Sequence, residues 1–127
     1  MKDTMAISRY LAAHFHFMPQ DTMEYFKCDQ ISELFYDIYI HKILPHNFSF
    51  NKTKQLVLRK ELLDDLLPKF LSGFEDQLGE NNFLIGDTLT LADFWVGTCL
   101  YCDMLDNPKY LFSAEEKKKI FEQFPNF

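Results

Sequence analysis

Apolar residues recur along this chain at spacings of three, four and seven, the period of amphipathic helices. The pattern predicts five helices, at about residues 4–16, 22–44, 53–79, 91–105 and 113–124. The chain has only 4 Gly and 5 Pro, and no run alternates between apolar and polar residues in the manner of a strand. We therefore expect an all-α fold, in which the second and third helices are long antiparallel neighbours.

Each of the first three predicted helices has an apolar stripe that should face the core. The stripes are Ile7, Tyr10, Leu11 and Phe15 in the first, Ile31, Leu34, Phe35 and Ile38 in the second, and Leu56, Leu63, Leu66, Leu67, Phe70, Leu71, Phe74 and Leu78 in the third. Proline should end the second helix at Pro45, before a loop that reaches residue 52, and should kink the third at Pro68. Gly79 should end the third helix.

The helix starts carry capping residues. Thr4 is the predicted N-cap of the first helix, Asp21 with Glu24 forms a capping box at the second, and Ser113 with Glu116 forms one at the fifth. Asn107-Pro108 should stop the fourth helix. These signals fix where helices begin more sharply than hydrophobic periodicity does.

The best specified helix start is the segment GDTLTLADFW, residues 86–95. Thr90 is an N-cap with Asp93 at the third helical position, and Leu89 can pack on Phe94 as a hydrophobic staple. Gly86 permits the sharp turn before them. The run that follows, 95–100, is apolar on nearly all sides, so the fourth helix should be central and buried.

Length and composition narrow the class of protein. A chain of 127 residues with 47% hydrophobic residues is long enough for one domain with a large core. The net charge of −6 argues against a nucleic-acid partner, and no apolar run approaches the roughly 18 residues of a membrane span, so we expect no membrane insertion. Three cysteines give no disulfide framework, and no signal peptide is visible, so a cytoplasmic location is expected.

Few residues suggest chemistry by themselves. Asp29, Glu33, Asp37 and His41 follow one another at i, i+4 on the second helix, where like charges repel and favour a nearby cation; a solvated acidic face is the alternative. Cys99 and Cys102 form a C-x-x-C inside the buried helix and are expected to be core thiols. The four histidines support a metal cluster only weakly, and we predict no metal site.

Three segments together resemble the glutathione transferase family. LPKFL (67–71), FEDQL (74–78) and NFLIGDTLTLAD (82–93) are similar to its helical C-terminal domain, most nearly of the sigma-like classes. DTMAISRYLA (3–12) is similar to the segment that opens the last helix of the family's thioredoxin-like, glutathione-binding domain. FPNF (124–127) resembles the point where the family's chain continues into its final helices. The resemblance implies one glutathione transferase C-terminal-type bundle over residues 1–127, with 1–18 matching the last helix of the other domain.

The resemblance also implies roles for particular residues. In the family, residues at the places of Asp3 and Thr4 hold the γ-glutamyl carboxylate of glutathione; a plain helix cap is the alternative for this pair. An aspartate at the place of Asp37 reaches the amino group of glutathione in the neighbouring subunit. The end of the second helix, here Tyr39 and His41, lines the pocket for the hydrophobic co-substrate. The turn before Thr90 and Asp93 initiates the family's central helix.

Two functions remain open from the sequence. The family's thiol-activating Tyr, Ser or Cys belongs to the thioredoxin-like domain, and we expect no such residue upstream of Met1. The chain would then be a non-catalytic protein-interaction or structural subunit without a cofactor, acting with a protein partner or as a homodimer. Alternatively, it is a fragment of a functional transferase that contributes the co-substrate pocket and a dimer contact, with glutathione bound by the other domain.

Overall fold

The computed structural model describes residues 3–106 and 113–125, and for 101–104 it describes the backbone alone. The described residues form helices and turns without a β-strand, which confirms the all-α class. The elements are α1 (Thr4–His14), α2 (Thr22–Ile38), the π-helical segment π1 (Tyr39–Ile43), α3 (Leu44–Phe48), α4 (Lys52–Glu61), π2 (Leu62–Leu66), α5 (Leu67–Leu78), α6 (Leu91–Gly97), π3 (Thr98–Leu105) and α7 (Ala114–Gln123). Because each π segment joins its neighbours without a break, these elements make five helical bodies.

Both prolines inside the long helices directly follow a π-helical segment. Pro45 is in the first turn of α3 after π1, and Pro68 is in the first turn of α5 after π2. A proline ring normally clashes with the carbonyl four residues earlier, and the wider π turn removes that clash. The prediction that Pro45 ends the helix is therefore wrong. Helix continues to Phe48, and only residues 49–51 form a turn where a loop to residue 52 was expected.

The helix ends follow the capping chemistry closely, with two corrections. Asp3, not Thr4, is the N-cap of α1, because its carboxylate accepts from the N–H of Ala6 at 2.8 Å. Asp21 caps α2 in the same way, but the Glu24 side chain does not complete the predicted capping box; Ser113 and Glu116 do form one at α7. Gly79 ends α5 with a φ of 52°, which glycine adopts without strain. The predicted stop at Asn107-Pro108 lies outside the described residues.

Helix α6 is at the centre of the bundle, as its all-round apolar sequence predicts. It packs along α2 and also contacts α1. Its buried side chains, with those described for π3, are Leu91, Ala92, Val96, Cys99, Leu100 and Leu105. Buried Cys28 and Ser32 allow α2 to approach closely, and the Ser32 hydroxyl donates to the Cys28 carbonyl at 2.7 Å.

Several residues of the predicted stripes are not in the core. On α1, the buried residues are Met5 and Ala12, while Tyr10, Leu11 and Phe15 are exposed. Leu34 of α2 and Leu56 of α4 are exposed too. Periodicity identifies an apolar face but not whether another element covers it, and none of the described elements covers these side chains.

The start of α6 is held by the carboxylate of Asp93. One oxygen accepts from the N–H and the hydroxyl of Thr90 at 2.7 and 2.8 Å, and the other accepts from the N–H of Leu84 at 2.8 Å. The N–H of Leu91 donates to the carbonyl of Phe17 at 3.0 Å, which ties α6 to the connector after α1. The first turn of α6 is thus joined to two other segments of the chain.

We predict that Asp93→Ala lowers the free energy of unfolding by about 2–3 kcal/mol and Thr90→Ala by about 1–2 kcal/mol. Asp93 matters more because its loss leaves N–H groups on two segments without their acceptor. The urea midpoint of each variant measures the effect. Ser113→Ala is the control, because Ser113 is the same kind of cap on the peripheral helix α7. It should lower the free energy of unfolding by less than either of the other two variants. Equal losses at Ser113 and Asp93 would contradict the central role of the α6 start.

Candidate functional site

A cavity of about 590 Å³ lies between α1, the α2–π1 junction and α6–π3. Its walls come from elements far apart in sequence, which the packing of α1 and α2 on α6 brings together. The residues that line it are Thr4, Ser8, Tyr36, Tyr39, Ile40, Leu44, Leu91, Phe94, Trp95, Thr98 and Cys99. The size suits a small organic molecule.

Contacts between aromatic rings form part of the cavity wall. Trp95, the chain's only tryptophan, meets Tyr36 edge to face, with ring centroids 5.4 Å apart. The ring centroid of Tyr39 lies 6.3 Å from that of Trp95. Phe94 meets Phe17 edge to face at 4.9 Å. Such a wall favours apolar and planar groups, which gain both burial and ring contacts.

Hydroxyl groups supply the polar part of the cavity. Thr4 and Ser8 are one turn apart on α1, and Thr98 contributes from π3. A hydroxyl both donates and accepts hydrogen bonds, so these groups can orient a polar substituent on an otherwise apolar ligand.

The structure brings together some of the residues that the sequence singles out and separates others. Thr4, Tyr39 and Phe94 line the cavity. Asp3 is engaged as the cap of α1, and Asp37 and His41 are exposed and do not line the cavity. Binding roles for these residues remain predictions. Ser8 and Trp95 line the cavity as well, although the sequence did not single them out as site residues. For Ser8, its i, i+4 spacing from Thr4 could have indicated this position.

The acidic row on α2 has its cation within the same chain. Arg9 of α1 bonds through Nε to Asp29 at 2.6 Å and through its terminal nitrogen to Glu33. The hydrogen bond to Asp29 raises the pKa of the Arg9 guanidinium. Asp37 makes no ion pair with any residue that the structure describes, so it is the one member of the row available to a partner.

The described thiols are poorly suited to nucleophilic chemistry. Burial raises the pKa of Cys28, and the N–H of Ala92 only partly offsets this effect. Cys99 is buried as well, and the side chain of Cys102 lies outside the described part of the chain. Among the side chains that the structure describes, at residues 3–100, 105–106 and 113–125, no three His, Cys, Asp or Glu come together as a metal site. No helix in the described part of the chain is long and apolar enough to span a bilayer.

Comparison with known proteins identifies relatives over nearly the whole chain. Residues 36–127 match the model of the family described as "Glutathione S-transferase, C-terminal domain". A Dictyostelium discoideum protein with the provisional name glutathione S-transferase alpha-2 is 32% identical over 133 residues, covering 96% of this chain and 60% of that protein. S-crystallin 2 of Enteroctopus dofleini is 31% identical, covering 96% of this chain and 58% of its own length. The chain therefore spans about three fifths of these relatives.

We predict that a planar apolar dye, anilinonaphthalene sulfonate, quenches the emission of Trp95 with saturation, because the indole forms part of the cavity wall. Tyr39→Ala should weaken that binding at least fivefold by removing one aromatic surface. Tyr25→Ala is the matched control, since Tyr25 is exposed and away from the cavity. Fluorescence titration measures both. A ligand site would be contradicted if both variants weakened dye binding equally, or if the dye quenched the Trp95 emission linearly without saturation.

Proposed function

Because the chain belongs to the glutathione S-transferase family through its C-terminal domain, we propose that it is a non-catalytic helical domain of that family that docks a protein surface. Helices α1 and α2 pack on α6, and the outer surface of the domain supplies the contact. A protein partner or a second copy of the chain is the occupant that this proposal requires.

The observation that carries the proposal is the apolar outer face of α1, formed by Tyr10, Leu11 and Phe15. These side chains are 58%, 45% and 59% exposed. The imidazole of His14 contacts both Tyr10 and Phe15. It stacks on the Tyr10 ring, with centroids 6.2 Å apart, and meets the Phe15 ring edge to face, with centroids 4.8 Å apart. Rings ordered against one another in water form a surface suited to burial, and contiguous apolar patches typically mark interfaces.

The chemistry of the described residues supports a binding role over a catalytic one. Glutathione conjugation needs a group that lowers the pKa of a thiol. No charged side chain lines the cavity that the described residues form, so its wall offers no positive field to a thiol. The S-crystallins among the relatives carry a name that refers to no transfer reaction. A rate of glutathione conjugation with a model electrophile above the free-solution rate would contradict this part of the proposal.

A second candidate function is favoured by the cavity itself. In a longer transferase, the aromatic wall of Tyr36, Tyr39 and Trp95 would hold the hydrophobic co-substrate. Thr4 also lines the cavity, and its hydroxyl could donate a hydrogen bond to, or accept one from, glutathione bound by another domain. Asp3 would contribute charge near that glutathione, and Asp37 near the glutathione of a neighbouring subunit. A cytoplasmic location is expected for either function and remains a prediction.

We predict that the chain self-associates at micromolar concentration through the outer face of α1. The double variant Leu11→Ser/Phe15→Ser should raise the dissociation constant at least tenfold, because it removes apolar surface that association buries. Both positions are exposed, so the fold should be retained. Sedimentation equilibrium is the measurement, and Met23→Ser, equally exposed on α2, is the control. A monomer at all concentrations, without dye-binding surface, would contradict the proposal.

A further inference from the structure

The segment between Asp37 and Glu61 has a charge opposite to that of the whole protein. Residues 38–60 contain no Asp or Glu and five basic residues: Lys42, Lys52, Lys54, Arg59 and Lys60. The chain as a whole carries 19 acidic and 13 basic residues. The positive charge is therefore concentrated on α4 and the turn before it.

Three of these five cations have no partner within the described structure. Lys42 pairs with Glu61, and Arg59 pairs with Glu116. Lys52, Lys54 and Lys60 are exposed and make no ion pair with the residues that the structure describes. Their charge faces solvent and is available to an anionic surface.

Apolar side chains stand among these lysines. Leu56 and Val57 of α4 are 66% and 63% exposed, and α4 buries none of its residues. At the end of α3, Phe48 is 69% exposed, and Phe50 in the turn before α4 is fully exposed. At 100° per residue, Leu56, Val57 and Lys60 share the outer side of α4. We call Phe48, Phe50, Leu56, Val57 and the three free lysines the α4 patch.

We propose that the α4 patch docks peripherally on a membrane surface that contains anionic lipid headgroups. A helix that lies in the interface combines a basic rim with apolar side chains that enter the headgroup boundary. The lysines would meet the headgroups, and Phe50, at the end of the projecting turn, would enter between them. The contact lies on the surface of the bilayer and requires no membrane-spanning helix.

The shape of the patch favours a lipid surface over a protein partner. The patch is the outer side of one helix and the residues just before it, and none of its residues lines the three cavities between the described helices that have volumes of about 430–590 Å³. A stable protein interface needs complementary shape over roughly 1,000 Å² or more. A bilayer adapts to the outer side of a helix and needs only matching charge and a few apolar side chains.

The acidic remainder of the chain does not cancel this attraction. Glu61 is held by Lys42 and Asp65 by Lys69. Asp64, an acidic residue without an ion pair in the described structure, is about 6 Å along the helix from Lys60, but about 15 and 18 Å from Lys54 and Lys52 at 1.5 Å per residue. Charges beyond about 8–10 Å are largely screened at physiological ionic strength.

Co-sedimentation of the 127-residue chain with vesicles tests the proposal. We expect binding to phosphatidylcholine vesicles that contain 30% phosphatidylserine to be at least tenfold tighter than binding to pure phosphatidylcholine. The triple variant Lys52→Gln/Lys54→Gln/Lys60→Gln should lose the preference for vesicles that contain phosphatidylserine. Binding is measured at salt concentrations of about 0.05 and 0.15 M, and the double variant Phe50→Ser/Leu56→Ser should bind vesicles more weakly at both. Circular dichroism checks that each variant keeps its helices.

Matched variants elsewhere on the surface separate the α4 patch from general charge effects. Lys27→Gln/Lys119→Gln removes two exposed lysines outside the patch and should leave vesicle binding unchanged. The proposal would be overturned if the chain showed no preference for vesicles that contain phosphatidylserine, or if both sets of lysine variants lost vesicle binding equally. So would α4 variants that change sedimentation of the free chain but not its vesicle binding, because the patch would then be a contact between copies.

Discussion

The rest of this structure depends on one carboxylate, that of Asp93. It accepts hydrogen bonds from Thr90 in its own capping turn and from Leu84 in the preceding segment. These bonds fix the point at which α6 begins, and α6 is the helix on which α1 and α2 pack. A displaced start of α6 would rotate Trp95 and Phe94, and both line the cavity. The cap therefore determines the position of the candidate site as well as the order of the helices.

The sequence predicts the parts of the fold that local chemistry controls. The all-α class, five helical bodies, the buried central helix and the glycine end at Gly79 follow from residues within one or two turns of each feature. Pro45 shows where local rules fail: the expected helix end is replaced by a π-helical segment. The widened turn accommodates the ring, and a pattern of residue types does not distinguish a helix that stops from one that changes its hydrogen bonding.

Features that depend on distant contacts could not be predicted in the same way. The acidic row on α2 indicated a nearby cation, but only packing identifies it as Arg9. The apolar stripe of α1 suggested burial, whereas Tyr10 and Phe15 are exposed because no described element covers them. The cavity joins residues from both ends of the chain, and Trp95 enters its wall only through the packing of α6 against α2. The family assignment rests on sequence similarity, and the binding roles of single residues require direct tests.

Hydrogen exchange of individual backbone amides tests the central claim most directly. If the Asp93 carboxylate holds the start of α6, the N–H groups of Thr90 and Leu84 should exchange with the slowest class, at rates set by global unfolding. Their exchange should be much slower than that of Ser113, whose N–H has the equivalent cap bond to the Glu116 carboxylate on peripheral α7. Exchange of Thr90 and Leu84 as fast as that of Ser113 would show that the cap opens locally, and the account given for α6 and the cavity would be wrong.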